Sequence, residues 1–217
     1  MTIDIFQFND SINDMKNEDS KRPYQMSKRA ETAAQTARDI FVATAELWHE
    51  RSIADITLDV IAERAKVSVR TIIRRYGSKE GLFEACIQNN AADMKSDREK
   101  AEIGNVESAV EYLLADYEMH GDAVIRTLAM EDQSDIARRV LQAGRIYHRE
   151  WCERMFTPFL PDKKDKSYER ELMAFTAATE LYLWKLLRRD LRYSLSETQA
   201  IFLRLINGLI IPMEKDN

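Results

Sequence analysis

Between positions 57 and 80 the chain runs Thr57-Leu-Asp-Val-Ile-Ala-Glu-Arg-Ala-Lys-Val-Ser-Val-Arg-Thr-Ile-Ile-Arg-Arg-Tyr-Gly-Ser-Lys-Glu80, which spells two short helices and the start of a third. Thr57 is placed to cap a helix over about 57–65, and Ser68 to cap a second over about 68–75. Only two or three residues separate them. Ile61, Ala62, Ala65, Val67, Ile72 and Tyr76 supply a compact core where the two helices cross, and Ala62 is small enough for close approach. Gly77-Ser78 then opens another helix, with Ser78 as its cap and Glu80 in the first turn, where the helix dipole favours an acid.

The second helix has two unlike faces. At about 100° per residue from Ile72, Tyr76 falls near 40°, while Arg70 and Arg74 fall near 160° and 200°. Ile73 and Thr71 flank the arginines. A short helix that presents two arginines between a hydroxyl and an aliphatic group suits a DNA major groove. Arginine reads guanine through two hydrogen bonds, and apolar groups meet the thymine methyl. Thr57, Thr71 and Lys79 lie at or near helix starts, where hydroxyl, backbone N–H and ammonium groups can hold phosphate. The candidate contact set is Thr57, Ser68, Val69, Arg70, Thr71, Ile73, Arg74, Arg75 and Lys79. An outward charged face alone would suit any helical hairpin. The paired caps, the small crossing residue and the terminal lysine, taken together, favour DNA.

Charge distribution agrees. The chain of 217 residues has a net charge of −5, which excludes coating of nucleic acid by overall positive charge. Residues 1–20 carry net −4, 21–85 net +3 and 86–217 net −4, and Arg64 to Lys79 hold six bases and no acid. A local basic patch on an acidic protein is the footprint of a site-directed DNA binder.

Working outward, Ala37, Ile40, Phe41, Thr44, Leu47 and Trp48 recur at three and four, giving a helix from near Ser27 with one buried stripe. Residues 1–22 are polar and acidic and read as a mobile tail closed by Pro23. Downstream, helices are expected near 78–97, 105–120, 122–131, 134–157, 167–192 and 196–213. Gly104-Asn105 and Gly121-Asp122 serve as turns, Pro158 and Pro161 mark a loop, and Ser196 with Gln199 forms a capping box. Six Gly and four Pro, where an average chain of this length carries about 26, exclude a many-stranded sandwich or barrel. The fold class is all-α.

At this point the sequence resembles the TetR/AcrR family of transcriptional regulators. The matching positions are Thr57, Ile61-Ala62, Val67-Ser68, Thr71, Tyr76 and Ser78-Lys79-Glu80, with Ala45, Leu47 and Trp48 in the preceding helix. The run Trp184-Lys-Leu-Leu-Arg-Arg-Asp190 looks like helix 8 of some members. The resemblance implies a three-helix helix-turn-helix DNA-binding domain over 23–85. It also implies a C-terminal bundle over 86–217 for ligand binding and dimerisation. Lys66 and Ile73 stand where the family often has Gly and Tyr, and Arg70 where a small residue is frequent. The base preference is therefore this chain's own.

The resemblance further implies a cavity for a small apolar or amphipathic ligand, with Tyr112, Tyr147, His148 and Trp151 as its candidate lining, and release of a pseudo-palindromic operator as its outcome. The two last helices have apolar faces broader than one side of a small bundle requires. Leu183, Leu187, Ile201 and Leu205 are candidates for a homodimer interface, against the alternative of burial within one subunit. Gly77-Ser78 with Gly81 is the expected pivot between the two parts.

Other chemistries find little support. Glu46-Leu-Trp-His49 is a single Glu-x-x-His, where a di-iron bundle needs two such pairs, so no metal is expected. No nucleophile triad or Gly-rich phosphate loop occurs, so neither enzyme activity nor a cofactor is expected. Cys86 and Cys152 form no C-x-x-C and read as buried thiols. No apolar run is long enough to cross a bilayer and no secretory signal is visible, which suits a cytoplasmic protein. The competing function is an all-helical ligand-binding or interaction protein with a vestigial helix-turn-helix. Arg70, Thr71, Arg74 and Lys79 together speak against it.

Overall fold

The computed structural model describes the backbone over residues 11–210 and the side chains over 31–88 and 98–210. Nine α-helices occur among the described residues, and no strand. They are α1 (Ser11–Glu50), α2 (Leu58–Arg64), α3 (Val69–Tyr76), α4 (Lys79–Arg98), α5 (Val106–Leu128), α6 (Asp135–Met155), α7 (Tyr168–Ala178), α8 (Leu181–Lys185) and α9 (Leu195–Leu209). Short 3-10 turns occupy Ile53–Asp55 and Thr157–Phe159, and a π turn extends α8 over Leu186–Asp190.

Two hydrophobic cores organise the chain. The first joins Ile40, Ala43 and Leu47 of α1, Ile61 and Ala62 of α2, Ile72 of α3 and Leu82, Phe83 and Cys86 of α4. It also draws in Ile136 and Ala137 from α6. The second is built from α5, α6, α7, α8 and α9 around Trp151, Trp184, Phe156, Phe175 and Phe202. The head, α1 to α3 with the start of α4, thus rests on the body through α4, α5 and α6.

Several boundaries differ from those expected. Helix α1 begins at Ser11 and runs through Pro23, so residues 11–22 are helical rather than part of a tail. Met15, Lys16, Glu18 and Lys21 are good helix formers, and one proline removes a single ladder bond. The remainder of the expected tail, residues 1–10, lies outside the described residues. Helix α5 does not stop at Gly121-Asp122. A Cβ at Gly121 would lie 2.5 Å from Cζ3 of Trp184, so this glycine serves close packing, not a turn. Asp122 instead binds Arg189 through both its oxygens.

The single helix expected over 167–192 is divided at Thr179 and Glu180. The Thr179 hydroxyl bonds back to the carbonyls of Phe175 and Thr176, while the Glu180 carboxylate accepts the Leu181 N–H and starts α8. The last capping box is Ser194 with Glu197, not Ser196 with Gln199. Both spacings fit the pattern, and the helix uses the pair whose third-position residue is anionic and matches the dipole.

Candidate nucleic-acid interface and internal cavity

Helices α2 and α3 are set by local chemistry. The Val60 N–H donates to Thr57 Oγ1 at 3.3 Å and the Thr71 N–H to Ser68 Oγ at 3.1 Å, so both caps form. The turn between them closes by a Val67 N–H bond to the Ala62 carbonyl at 2.9 Å. It places Lys66 at φ 54°, the left-handed conformation that glycine adopts most easily, and this lysine occupies it. Gly77 ends α3 at φ 79°, with its N–H on the Ile73 carbonyl.

Ile72 is fully buried, and Arg70, Ile73, Arg74 and Arg75 are exposed on the other side. Thr71 is half-buried and shares its hydroxyl with Ser68 at 2.8 Å. Thr57 and Ser68 are exposed at the helix starts. Val69 turns partly inward, packing against the head core, and so presents less surface than its place in the contact set implies. Lys79 is also drawn in. Its ammonium donates to the Ile53 carbonyl at 2.8 Å and lies 5.9 Å from the centre of the Phe83 ring. Burial lowers its pKa. Its first role is to tie the turn before α2 to the start of α4.

The six bases from Arg64 to Lys79 therefore divide. Arg64 is neutralised by Glu50 through two bonds of 2.8 Å and by Glu46 at 3.2 Å. Lys66, Arg70, Arg74 and Arg75 form no ion pair among the described residues and stand outward, which concentrates positive charge on α3 and the turn before it. Glu46 and His49, the Glu-x-x-His pair, go separate ways: Glu46 to Arg64 and His49 to His120 at 3.2 Å.

Behind the head, a cavity of about 240 Å³ lies between α1, α4, α5, α6 and α8. Trp48 and Thr44 reach it from α1, Phe83 and Arg98 from α4, Asp116, Tyr117 and Val124 from α5, and Tyr147 and His148 from α6. Tyr147 and His148 are thus placed at its wall. Trp151 is fully enclosed in the body core, its indole N–H on the Arg98 carbonyl at 3.3 Å, and Tyr112 packs on that core away from the cavity.

The polar centre of this wall is Arg98, buried and paired with Asp116 at 2.6 Å. Burial opposes its charge, and the Asp116 carboxylate holds it charged nonetheless. Its guanidinium lies 5.2 Å from the ring centre of Tyr117 and 5.7 Å from that of Tyr147. Arg98 also meets His148 Nδ1 at 3.3 Å. Since arginine only donates, Nδ1 accepts, and Nε2 carries the proton toward the Thr179 hydroxyl at 3.1 Å. Burial, then Arg98, pushes the His148 pKa down to about 3. Burial likewise pushes the Cys86 and Cys152 thiols up, to about 12 and about 11, so both are inert.

The sequence singled out neither Arg98 nor Asp116. Both sit among charged neighbours that read as solvated surface, and no spacing marks them as partners.

The cavity adjoins the joint between head and body. The Trp48 indole N–H donates to the Thr127 hydroxyl at 2.9 Å, and Arg126 donates to the carbonyls of Trp48 and His49 at 3.2 and 2.5 Å. The C-terminal carbonyls of α1 are thus clamped on α5. At the other joint, a Cβ on Gly81 would overlap the Tyr76 carbonyl oxygen, so this glycine is wedged against the end of α3. Of the expected pivot, Gly77 borders open space and only Gly81 is a close contact.

Of the four residues expected at a dimer face, Leu187 is buried in the body core of its own subunit. Leu183 and Ile201 are half-buried on that core, and Leu205 is 42% exposed. Tyr182, Leu186 and Leu195 add further exposed apolar surface on α8, its π turn and α9. Among the described residues no helix is long and apolar enough to cross a membrane.

Comparison with known proteins places the head. Residues 40–86 match the sequence profile of the family described as bacterial regulatory proteins, tetR family. No curated protein matches the chain. Among solved structures, the chain is similar to a TetR transcriptional regulator from Rhodococcus sp. RHA1. The TM-score is 0.52 and the identity 19%, over 84% of this chain and 99% of that one. The head thus carries the sequence profile of tetR family regulators, and the all-helical fold of the chain is similar to that of a TetR regulator.

Proposed function

We propose that this protein is a homodimeric repressor that binds a pseudo-palindromic DNA operator and releases it when a small molecule enters the cavity. The observation that carries the DNA reading is the face of α3, where Arg70, Ile73 and Arg74 stand exposed opposite a fully buried Ile72. One such helix covers only a few base pairs, so a specific site requires two copies on half-sites. The exposed Leu186 and Leu205, with the half-buried Leu183 and Ile201, supply the surface for pairing.

The clamp of α1 on α5 supports the release step. A ligand in the cavity touches Trp48 and α5 at once, so it can loosen the Trp48–Thr127 and Arg126 bonds and re-aim the head. Weakening operator binding by roughly 5–150-fold corresponds to about 1–3 kcal/mol of coupling, and DNA must weaken ligand binding by the same factor.

The test is binding of DNA fragments selected by the protein from genomic DNA. Arg70→Ala or Arg74→Ala should cost roughly 1–3 kcal/mol and relax preference at one base position without lowering thermal stability. Lys79→Ala should weaken all sequences alike and also lower stability, since it frees the Ile53 carbonyl. Leu205→Asp should give monomers in sedimentation and abolish operator binding. If both arginine variants keep wild-type affinity and base preference, α3 is not the reading helix.

A further inference from the structure

The charged lining of the cavity is cancelled in place. Arg98 is paired with Asp116, Arg145 is held by both oxygens of Glu131, and the Glu180 carboxylate, which takes the Leu181 N–H, has the charge of Arg145 near it. His148 is held neutral by burial and by Arg98. An ion entering here gives up its hydration and meets no uncompensated counter-charge, which is costly. The rest of the wall is mostly aromatic or aliphatic, with Trp48, Phe83, Val124 and Leu128 among its members. His120, hydrogen-bonded to His49, the Thr44 hydroxyl on the Ile40 carbonyl, and the Cys86 thiol add polar atoms.

Two polar atoms of the residues at this wall, Nε of Arg98 and the hydroxyl of Tyr147, are enclosed and have no hydrogen-bond partner among the described residues. With the guanidinium carbon 5.7 Å from the centre of the Tyr147 ring, the two residues lie together in the cavity wall. The Arg98 Nε–H is a donor. Burial raises the Tyr147 phenol, so it keeps its proton at neutral pH and donates too. Two donors call for an acceptor.

Size narrows the occupant. An engineered apolar cavity of about 150 Å³ takes benzene, and drug-sized pockets run from about 300 to 1,000 Å³. At about 240 Å³ this cavity falls between them.

We propose that the cavity binds an uncharged molecule of one or two rings bearing a hydrogen-bond acceptor, with the acceptor turned to Arg98 and Tyr147 and the rings against the aromatic and aliphatic part of the wall. This deepens the proposed function and rests on its premise that the cavity holds the effector.

The experiment titrates the full chain by calorimetry with 2-acetylnaphthalene, with naphthalene, and with two charged analogues of similar size, 2-naphthoate and 2-naphthylmethylammonium. The acetyl compound should bind at least tenfold tighter than either ion. Tyr147→Phe should weaken it about two- to tenfold, the contribution of one hydrogen bond, and leave naphthalene unaffected. The same variant should not lower the unfolding midpoint, because it removes a hydroxyl with no partner among the described residues. A Cβ at Gly144, on the cavity wall, meets nothing within 4 Å, so Gly144→Phe fits and should obstruct binding.

Naphthoate binding as tightly as the ketone, full affinity in Tyr147→Phe, unchanged binding in Gly144→Phe, or no binding by any probe would each overturn the ligand class. Gel shifts with the same probes separate this from the effector reading. A ketone that binds at Tyr147 without weakening DNA binding leaves the ligand class standing and removes the effector role. Release by naphthoate alone does the reverse.

Discussion

In the head core, Thr44 is the one enclosed polar side chain among the described residues, and its hydroxyl simply returns to the Ile40 carbonyl one turn back. The body encloses Arg98, Thr127, His148, Thr179 and Thr198, and most of these bond across long stretches of chain. Arg98 reaches Asp116 and His148, and the Thr179 carbonyl takes the Tyr117 hydroxyl at 2.8 Å. The head is thus an aliphatic core trimmed by local caps. The body is a core with a polar seam, and its cavity opens on that seam. Under the proposed function, a head built this way keeps its shape while it is carried as a rigid reader, and a body built this way has groups whose partners can be exchanged for those of a ligand.

The sharpest way to break this comparison is to remove one partner from each core. Asp116→Ala leaves the Arg98 guanidinium buried and uncompensated, and should cost about 3–5 kcal/mol in urea unfolding. Thr44→Val takes away a hydroxyl together with its local bond and should cost no more than about 1.5 kcal/mol. A double change, Arg98→Met with Asp116→Leu, should recover much of the loss, because it removes both charges at once. Equal costs for Asp116→Ala and Thr44→Val would mean that the seam is not what distinguishes the body.

A second contrast lies inside the body. Gly121 sits under Trp184 and Gly144 borders open space, although both are helical glycines. Gly121→Ala forces a methyl into the indole and should destabilise by about 1–3 kcal/mol. Gly144→Ala should stabilise by up to about 1 kcal/mol, since alanine is the better helix former. Melting curves of the two variants should shift in opposite directions.

The same division explains what could be read from the sequence. Thr57, Ser68, the Lys66 turn and the outward arginines follow from residues within a few positions of one another, and the family's sequence profile covers just this part. The reason for Gly121 is Trp184, and the partner of Asp122 is Arg189, each more than sixty residues away. Local rules therefore made a turn of a close contact. Ser194 and Ser196 show the limit of a motif, since each has a suitable residue three positions on and only the acid decides. Lys79 shows another: a base at a helix start reads as a phosphate grip, while the nearer acceptor is the Ile53 carbonyl. Tyr147 and His148 reached the cavity wall from a resemblance, whereas Arg98 and Asp116 required the fold.

The smallest effect expected is also the most specific to the seam. His148 accepts from Arg98 at Nδ1, so a second proton would set an N–H against an N–H beside a buried cation. With its folded pKa near 3 and an unfolded value near 6.5, the native state stays neutral where the unfolded chain takes up a proton. Stability from this group is therefore complete above about pH 6.5 and is lost as pH falls toward 3, at up to about 1.4 kcal/mol per unit. His49, lowered by burial, His120 and Arg126, acts with the same sign at the joint. Glu118 and Asp122, held low by Arg188 and Arg189, begin to lose stability only below about pH 4.5. Urea unfolding between pH 7.5 and 4.5 thus isolates the histidines. His148→Gln keeps a side chain able to accept from Arg98 and donate to Thr179 but binds no proton, so it should flatten the slope while leaving stability at pH 7.5 nearly unchanged. An unaltered slope in His148→Gln would mean that His148 is protonated in the folded protein, and that Arg98 does not face it as a donor.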